Sequence, residues 1–163
     1  MKEAVIHIPV QIYPDLGSLE SADAILHEAA RKATADAYAP YSNFRVGAAI
    51  RLGNGQIISG SNQENASFPA GICAERVVLS AASASFPGIP VTSLALTYIN
   101  KTGHSDHPIS PCGVCRQTLS EYEQRFSQSI RLILGGISGE IYIINRATEL
   151  LPFAFNDQAL KSH

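Results

Sequence analysis

The chain has 163 residues, of which 45% are hydrophobic, and its 12 Lys and Arg against 14 Asp and Glu give a formal charge of −2. This length and composition fit one folded domain with an ordinary core and exclude a largely disordered chain. The charge provides no basic surface for nucleic acid, no apolar run is long enough to span a bilayer, and no signal peptide is evident, so we expect no nucleic-acid or membrane partner and a cytoplasmic location.

Strands and helices alternate along the chain. In order, the patterns predict an edge strand at 4–13, a helix from 18 or 21 to about 37, a loop at 37–44, a hairpin of strands 45–52 and 56–62, a helix at 72–85, a strand at 93–100, a loop at 104–110, a helix at 111–126, strands at 130–136 and 140–145, and a last helical turn at 146–151. Pro9 restricts the first strand to an edge, and Pro111 suits the first turn of a helix.

This alternation predicts an α/β protein. We expect a three-layer α/β/α sandwich with a mixed sheet of about five strands. The sequence shows no linker or repeat, so we expect a single domain over residues 1–163, in which residues 1 to about 20 form an N-terminal extension.

The three cysteines predict a metal site. Cys112 and Cys115 lie three residues apart near the start of a predicted helix, so both sulfurs can face one point, and Cys73 lies near the start of another helix. Three thiolates and one water form the tetrahedral arrangement of a catalytic zinc, with one position left open. We therefore predict one Zn²⁺ per chain.

Two other interpretations of the cysteines stay open. His104 or His107 could add a fourth ligand and close a structural Cys3His site. Alternatively, Cys112 and Cys115 could form a thioredoxin-like CxxC pair, although this would leave Cys73 without a role.

Glu75 follows Cys73 closely and has two interpretations. A carboxylate beside a metal site can take a proton from water and pass it to a substrate. Acidic residues are also favoured in the first turn of any helix, because they interact with the helix dipole.

Several segments together resemble the small homo-oligomeric cytidine deaminases. They are YSNF, NQENAS, GICAER, PCGVCRQ and LLPFAF, spread over about residues 24–160, and the cysteine before Ala74-Glu75 is similar to the tetrameric, three-cysteine branch. The resemblance implies zinc-dependent hydrolytic deamination of cytidine and deoxycytidine to uridine and deoxyuridine plus ammonia, in pyrimidine salvage. It also implies a small-molecule nucleoside substrate and a homotetramer with shared active sites.

The resemblance implies a role for each matching residue. The metal and catalytic roles fall to Cys73, Cys112 and Cys115 as zinc ligands and to Glu75 as the group that moves protons to N3 and the leaving amine. The substrate contacts would be the Ala74 N–H to O2, the Ser110 carbonyl to the 4-amino group, Asn62 and Glu64 to the ribose 3′-hydroxyl, Phe44 against the nucleoside, and Ala66 and Phe155 in the pocket of a neighbouring subunit. Beside the ligands, Arg76 would offset the formal −1 charge of Zn²⁺ with three thiolates, and Gln117 would support the site.

Three other functions remain possible at this point. The same zinc core could deaminate another cytosine nucleoside analogue such as blasticidin S, although NQEN resembles a ribose-binding loop. A zinc-stabilised binding module without catalysis would have a closed metal site and a dispensable Glu75. Editing of polynucleotide bases would need a basic stripe that the sequence lacks.

Phe68 stands where relatives often have Tyr, so no hydrogen bond from that hydroxyl is expected.

Overall fold

The fold is built on a mixed sheet of six strands. The computed structural model describes residues 1–156 and residue 160. The strands are β1 (Gln11–Tyr13), β2 (Phe44–Leu52), β3 (Ile57–Ser61), β4 (Val91–Asn100), β5 (Arg131–Gly135) and β6 (Ile141–Ile144), in the order β1-β6-β5-β4-β2-β3. β4 and β5 run parallel, and the other neighbouring pairs are antiparallel. The helices are α1 (Ser21–Ala33), α2 (Ala74–Ser85) and α3 (Gly113–Phe126).

Helices cover both faces of the sheet. Successive side chains of a strand point to opposite faces. One face packs against α2 and α3 through the buried residues Ala48, Ile50, Leu94, Leu96, Leu132, Leu134, Val78, Leu79 and Leu119. The other face packs against α1 through Ala49, Ala95, Ile133, Leu26 and Ala30. The predicted three-layer α/β/α sandwich is therefore confirmed.

Close packing of α1 on the sheet requires a glycine on β2. A Cβ at Gly47 would stand only 2.0 Å from the Ala30 carbonyl oxygen, which no real side chain tolerates. The helix backbone thus lies almost in contact with the strand, and this fixes the height of α1 above the sheet.

The sheet has one strand more than the predicted five. The strand that the count of five left out is the predicted edge strand, which forms as β1 and pairs antiparallel with β6 at the edge of the sheet, as Pro9 led us to expect. The strand predicted over 4–13 is much shorter, because residues 1–10 have no regular secondary structure and are exposed. Local alternation alone therefore overestimated its length.

Most predicted boundaries agree with the structure within a few residues. The hairpin of β2 and β3 turns at residues 53–55, where Gly55 has the positive φ of 87° that glycine accommodates best. α1 ends earlier than expected and continues as a 3-10 turn at Thr34–Asp36, and another 3-10 turn at Ala147–Leu150 replaces the predicted last turn of helix. Residues 157–159 and 161–163 of the predicted domain lie outside the described residues.

Two connections determine where the site forms. The segment after β3 leads to Cys73, the N-cap of α2, and the segment after β4 leads to Cys112, the N-cap of α3.

Among residues 1–156 and 160, no helix combines the length and apolar character of a membrane span.

His27 on α1 makes the stability of the fold depend on pH. Its side chain is 1% exposed, and its Nε2 is buried without a hydrogen-bond partner. Burial lowers the pKa of His27 to about 4, the nearby Glu28 carboxylate opposes this effect, and the Arg31 charge adds to it. Between pH 6.5 and 4 the unfolded chain therefore binds a proton at His27 more readily than the folded chain does, and stability falls as the pH falls.

We predict that His27→Leu will flatten the pH dependence of unfolding. Lowering the pKa from 6.5 to about 4 corresponds to roughly 3 kcal/mol of stability lost on acidification. Urea denaturation between pH 7.5 and 4.5 gives the free energy of unfolding of the wild type and of the variant. The contributions of the other titrating groups cancel in the difference between the two proteins. His7→Leu, a substitution at an exposed histidine, should follow the wild type. Identical slopes for wild type and His27→Leu would contradict the assignment.

Candidate metal centre and active site

Three thiols meet at the N-termini of α2 and α3. The Sγ atoms of Cys73 and Cys112 are 3.7 Å apart, those of Cys112 and Cys115 are 3.4 Å apart, and all three lie within 4.8 Å of one another. A tetrahedral zinc with Zn–S bonds of 2.3 Å holds its sulfurs about 3.8 Å apart. The observed spacing therefore fits three ligands of one zinc ion.

The same distances disfavour disulfide chemistry. A disulfide bond is about 2.05 Å long, and the three cysteines are free thiols. Cys73 joins Cys112 and Cys115, so it is not the unused residue that a CxxC redox pair would leave. The donor set is three sulfur atoms, which suits zinc among the common metals.

No histidine of the described chain joins the three thiols. The only group of potential ligands found in residues 1–156 and 160 is Cys73, Cys112 and Cys115. The ring of His107 instead contacts the Tyr98 hydroxyl and the Asp106 carboxylate, and His104 is exposed. The described residues thus give no support to a closed Cys3His site.

The surroundings of the cluster favour the thiolate form of Cys73. Cys73 and Cys112 are N-caps, and Cys115 lies buried in the first turn of α3. The N-terminus of a helix carries a partial positive charge and free N–H groups, which stabilise nearby anions. A hydrogen bond with Cys115 lowers the pKa of Cys73 to about 6, assisted by Cys112 and the Arg76 charge and opposed by burial. For Cys115 the shift is in the opposite direction: the hydrogen bond with Cys73 and burial of the Cys115 thiol raise the pKa of Cys115.

Glu75 is a buried carboxyl group in the first turn of α2. Its side chain is 4% exposed, and burial raises the pKa of Glu75 to about 7, with the Cys73 charge adding to the rise. The backbone N–H of Glu75 and the Cys115 thiol form hydrogen bonds that oppose this shift. A carboxyl group with a pKa near neutrality can both accept and release a proton. This burial distinguishes Glu75 from an ordinary solvated glutamate at a helix start.

A pocket of about 730 Å³ leads to this centre. Most of the predicted site residues line it, namely Phe44, Asn62, Glu64, Cys73, Ala74, Glu75, Ser110 and Cys112. The structure thus brings together residues from β2, from the segment between β3 and α2, and from the segment between β4 and α3.

Asn62 and Glu64 organise one side of the pocket. The Asn62 amide accepts a hydrogen bond from Val46 N at 2.9 Å and donates one to the Phe44 carbonyl at 3.0 Å. One N–H of this amide and one lone pair of its oxygen remain for a ligand. The Glu64 carboxylate accepts hydrogen bonds from Tyr41 N at 2.8 Å and from Ser42, and the bond from the Ser42 hydroxyl lowers the pKa of Glu64.

Aromatic rings form other parts of the pocket. Phe44 stacks on Tyr98, with ring centroids 4.8 Å apart and ring planes 20° from parallel. Phe68 is 75% exposed and makes an edge contact with Tyr41, at 5.8 Å between centroids. Phe68 therefore keeps an aromatic contact at the pocket without needing the hydroxyl that a tyrosine would provide.

The other predicted residues lie outside this pocket lining. Ala66 and Phe155 are exposed, and the Phe155 carbonyl accepts a hydrogen bond from Gln117 Nε2 at 2.8 Å. Gln117 therefore contacts the C-terminal segment, residues 150–156, and its role beside the metal ligands stays a prediction. Arg76 is half-buried and lies near enough to Cys73 for its charge to lower the thiol's pKa.

The structure adds Arg116, which the sequence analysis missed. Its Nε donates to the Pro111 carbonyl at 2.8 Å, and its Nη1 donates to the Leu150 carbonyl at 3.1 Å. Arg116 thus ties the peptide before Cys112 to the C-terminal segment. Only its place in PCGVCRQ, beside a metal ligand, could have drawn attention to it.

The fold and this centre define a class of protein, the zinc-binding deaminase domains. The family model described as the cytidine and deoxycytidylate deaminase zinc-binding region matches residues 20–127. This range contains the three thiols and Glu75.

Comparison with individual proteins narrows the class to one family. A cytidine deaminase of Halalkalibacterium halodurans is 37% identical over 131 residues, which cover 80% of this chain and 92% of the relative. One of Sporosarcina psychrophila is 34% identical over 130 residues, covering 80% and 88%. The crystal structure of cytidine deaminase from Burkholderia pseudomallei superposes with a TM-score of 0.70 at 38% identity, covering 80% of this chain and 97% of that one. The chain belongs to the cytidine deaminase family.

We predict that Cys112→Ala will reduce bound zinc from one ion per chain to nearly none. Two thiolates bind zinc much more weakly than three, and metal binding is coupled to folding in such sites, so the melting temperature should fall as well. Elemental analysis and thermal denaturation of the purified proteins measure both effects. Val114→Ala, at an exposed residue between two ligands, is the matched control and should keep its zinc. Bound zinc in Cys112→Ala equal to that in the wild type would contradict the prediction.

Proposed function

We propose that the chain catalyses the hydrolytic deamination of cytidine and deoxycytidine to uridine and deoxyuridine, with release of ammonia. The observation that carries this proposal is the three-thiol cluster beside a buried glutamate, with Cys73, Glu75 and Cys112 lining one pocket. Membership of the cytidine deaminase family supports it. A zinc ion held by the three thiols would supply the Lewis-acid chemistry that makes water a nucleophile near neutral pH.

Glu75 is the proposed acid and base. With its pKa raised to about 7, its carboxylate can accept a proton from water, and the resulting acid can donate that proton to N3 of the cytosine ring. A second proton, moved from the added hydroxyl to the 4-amino nitrogen, lets that nitrogen leave as ammonia. Glu75 thus returns to its starting protonation state in each cycle.

Backbone groups are proposed to orient the base. Ala74 is the first residue of α2, so its N–H has no partner within the helix and can donate to O2 of the base. The Ser110 carbonyl, in the pocket lining, would accept from the 4-amino group, and Phe44 would pack against the nucleoside. Together these contacts would hold C4 near the thiols.

Asn62 and Glu64 are proposed to bind the ribose 3′-hydroxyl. Both line the pocket, and each retains hydrogen-bonding capacity beyond its bonds within the chain. The described lining residues include no lysine or arginine, so a 5′-phosphate would find no positive charge there.

We further propose a homotetramer in which subunits complete one another's sites. The exposure of Ala66 and Phe155 supports this, because both remain free to enter a neighbouring pocket. The bond from Gln117 to the Phe155 carbonyl would hold that segment in place. Light scattering of the purified protein measures the assembly directly.

Arg76 is proposed to balance charge at the zinc. Zn²⁺ with three thiolates has a formal charge of −1, and a guanidinium close to Cys73 would withdraw part of it.

We also propose a cytoplasmic location and a role in pyrimidine salvage within a single domain of residues 1–163. The three cysteines are free thiols, which is typical of a reducing compartment and supports the cytoplasmic location.

We predict that Glu75→Gln will keep its fold and its zinc but lose turnover. Glutamine has nearly the same shape but cannot accept a proton from water, so kcat should fall by roughly 10²- to 10⁴-fold or more. Ultraviolet absorbance of cytidine measures the rate, and elemental analysis confirms the zinc. Glu121→Gln, at an exposed position of α3, should behave like the wild type. Near-normal turnover by Glu75→Gln would reject its role as acid and base and favour a non-catalytic, zinc-stabilised module.

We predict that cytidine and deoxycytidine will react, whereas cytosine and CMP will react poorly. A site built to bond a substrate hydroxyl leaves polar groups unpaired when that hydroxyl is missing, and such sites discriminate by roughly 10⁴- to 10⁵-fold. The measurement is kcat/KM for the four compounds under one set of conditions, with blasticidin S as a fifth. Equal values for cytosine and cytidine would exclude the ribose role of Asn62 and Glu64, and efficient turnover of CMP or blasticidin S would redefine the substrate.

A further inference from the structure

Tyr98 on β4 is a fully buried residue directly behind Phe44. Its exposed fraction is 0%, and its ring stacks nearly parallel on the Phe44 ring, with centroids 4.8 Å apart. Phe44 lines the pocket, as does Leu96, which lies two residues before Tyr98 on the same face of β4. The position of the Phe44 ring therefore depends on the tyrosine behind it.

The hydroxyl of Tyr98 reaches a different part of the pocket lining. It lies 3.1 Å from Nδ1 and 3.2 Å from Nε2 of His107, within hydrogen-bond distance of either nitrogen. His107 belongs to the segment between β4 and α3, and in this segment Ile109 and Ser110, two and three residues after His107, line the pocket. A hydroxyl on a fully buried side chain needs such a partner, because it cannot exchange its hydrogen bond for one to bulk water.

The segment between β4 and α3 has anchors on both sides of His107. The Ser105 hydroxyl accepts a hydrogen bond from Asn100 N at 2.9 Å, and the Ser105 carbonyl accepts one from Ile137 N at 2.8 Å. Further along, the Pro111 carbonyl accepts from Arg116. The bond from Tyr98 to His107 thus holds the stretch 105–111 near its middle, three residues before Ser110.

We propose that Tyr98 is a positioning residue for the nucleoside, which sets the spacing between Phe44 on β2 and the 107–110 stretch by stacking on the first and bonding to the second. The inference rests on the proposed function, because Phe44 and Ser110 are the groups assigned there to the substrate. The thiols and Glu75 belong to α2, α3 and their caps, not to β4. Loosening the pocket walls should therefore weaken the binding of substrate and transition state alike, which raises KM and leaves kcat nearly unchanged.

The test uses Tyr98→Phe, which keeps the stacked ring and removes the hydroxyl. Loss of one intramolecular hydrogen bond corresponds to roughly a 2- to 12-fold change in an equilibrium constant. We expect KM for cytidine, and Kd for uridine measured by calorimetry on the zinc-loaded protein, to rise within this range while kcat changes little. Tyr142→Phe, at a half-buried tyrosine of β6 that packs on the same side of the sheet, is the control and should match the wild type.

Variants of His107 test whether the two residues act together. His107→Leu should reproduce the KM of Tyr98→Phe, the double variant should add no further change, and His107→Gln, which can still bond to the hydroxyl, should restore the wild-type KM. Unchanged KM and Kd in Tyr98→Phe, even with a lower melting temperature, would show a merely structural residue and overturn the inference alone. Additive effects in the double variant would overturn it as well. Inactivity of the wild type on cytidine would instead overturn the proposed function and the inference with it.

Discussion

The meeting of three sulfur atoms at two helix N-termini is the constraint on which the rest of the site depends. Cys73 and Cys112 are the N-caps of α2 and α3, and Cys115 lies in the first turn of α3, so both helices must begin at nearly the same point. The sheet makes this possible because α2 and α3 pack on the same face and share one buried core. A shift of either helix by one turn, about 5.4 Å, would exceed the whole width of the cluster.

The same geometry offsets part of the negative charge of the site. Three thiolates place several negative charges in a partly buried space, and Glu75 adds a carboxyl group within two residues of Cys73. Two helix N-termini and the Arg76 charge oppose this accumulation. The carboxyl group responds by a raised pKa, because burial and the neighbouring sulfur both disfavour its charged form. The lowered pKa of Cys73 and the raised pKa of Glu75 thus have one structural origin.

The pocket is assembled from segments that are held by their backbone groups. Asn62 bonds to the backbone of β2, Glu64 bonds to the turn at Tyr41 and Ser42, and Arg116 bonds to the peptide before Cys112. Such bonds hold irregular segments in place, because each satisfies a backbone polar group that the fold would otherwise leave unpaired. These bonds hold the walls of the pocket, and Arg116 extends the same network to the Leu150 carbonyl in the C-terminal segment.

The order of strands and helices and the three metal ligands could be predicted from the residues alone, and the family resemblance supplied the reaction. Periodicity, turn residues and helix caps are local properties, and they located the hairpin, the three helices and the central strands to within a few residues. Cysteine spacing likewise predicted the metal cluster, because residues three apart near a helix start must share a face. Four features came from the folded chain. The edge strand is three residues long, Glu75 is buried, His107 bonds to Tyr98 outside the thiol cluster, and Gln117 and Arg116 bond to residues 150–155. Each of these depends on contacts between residues far apart in the chain, and no local pattern specifies which distant surface will cover a given side chain.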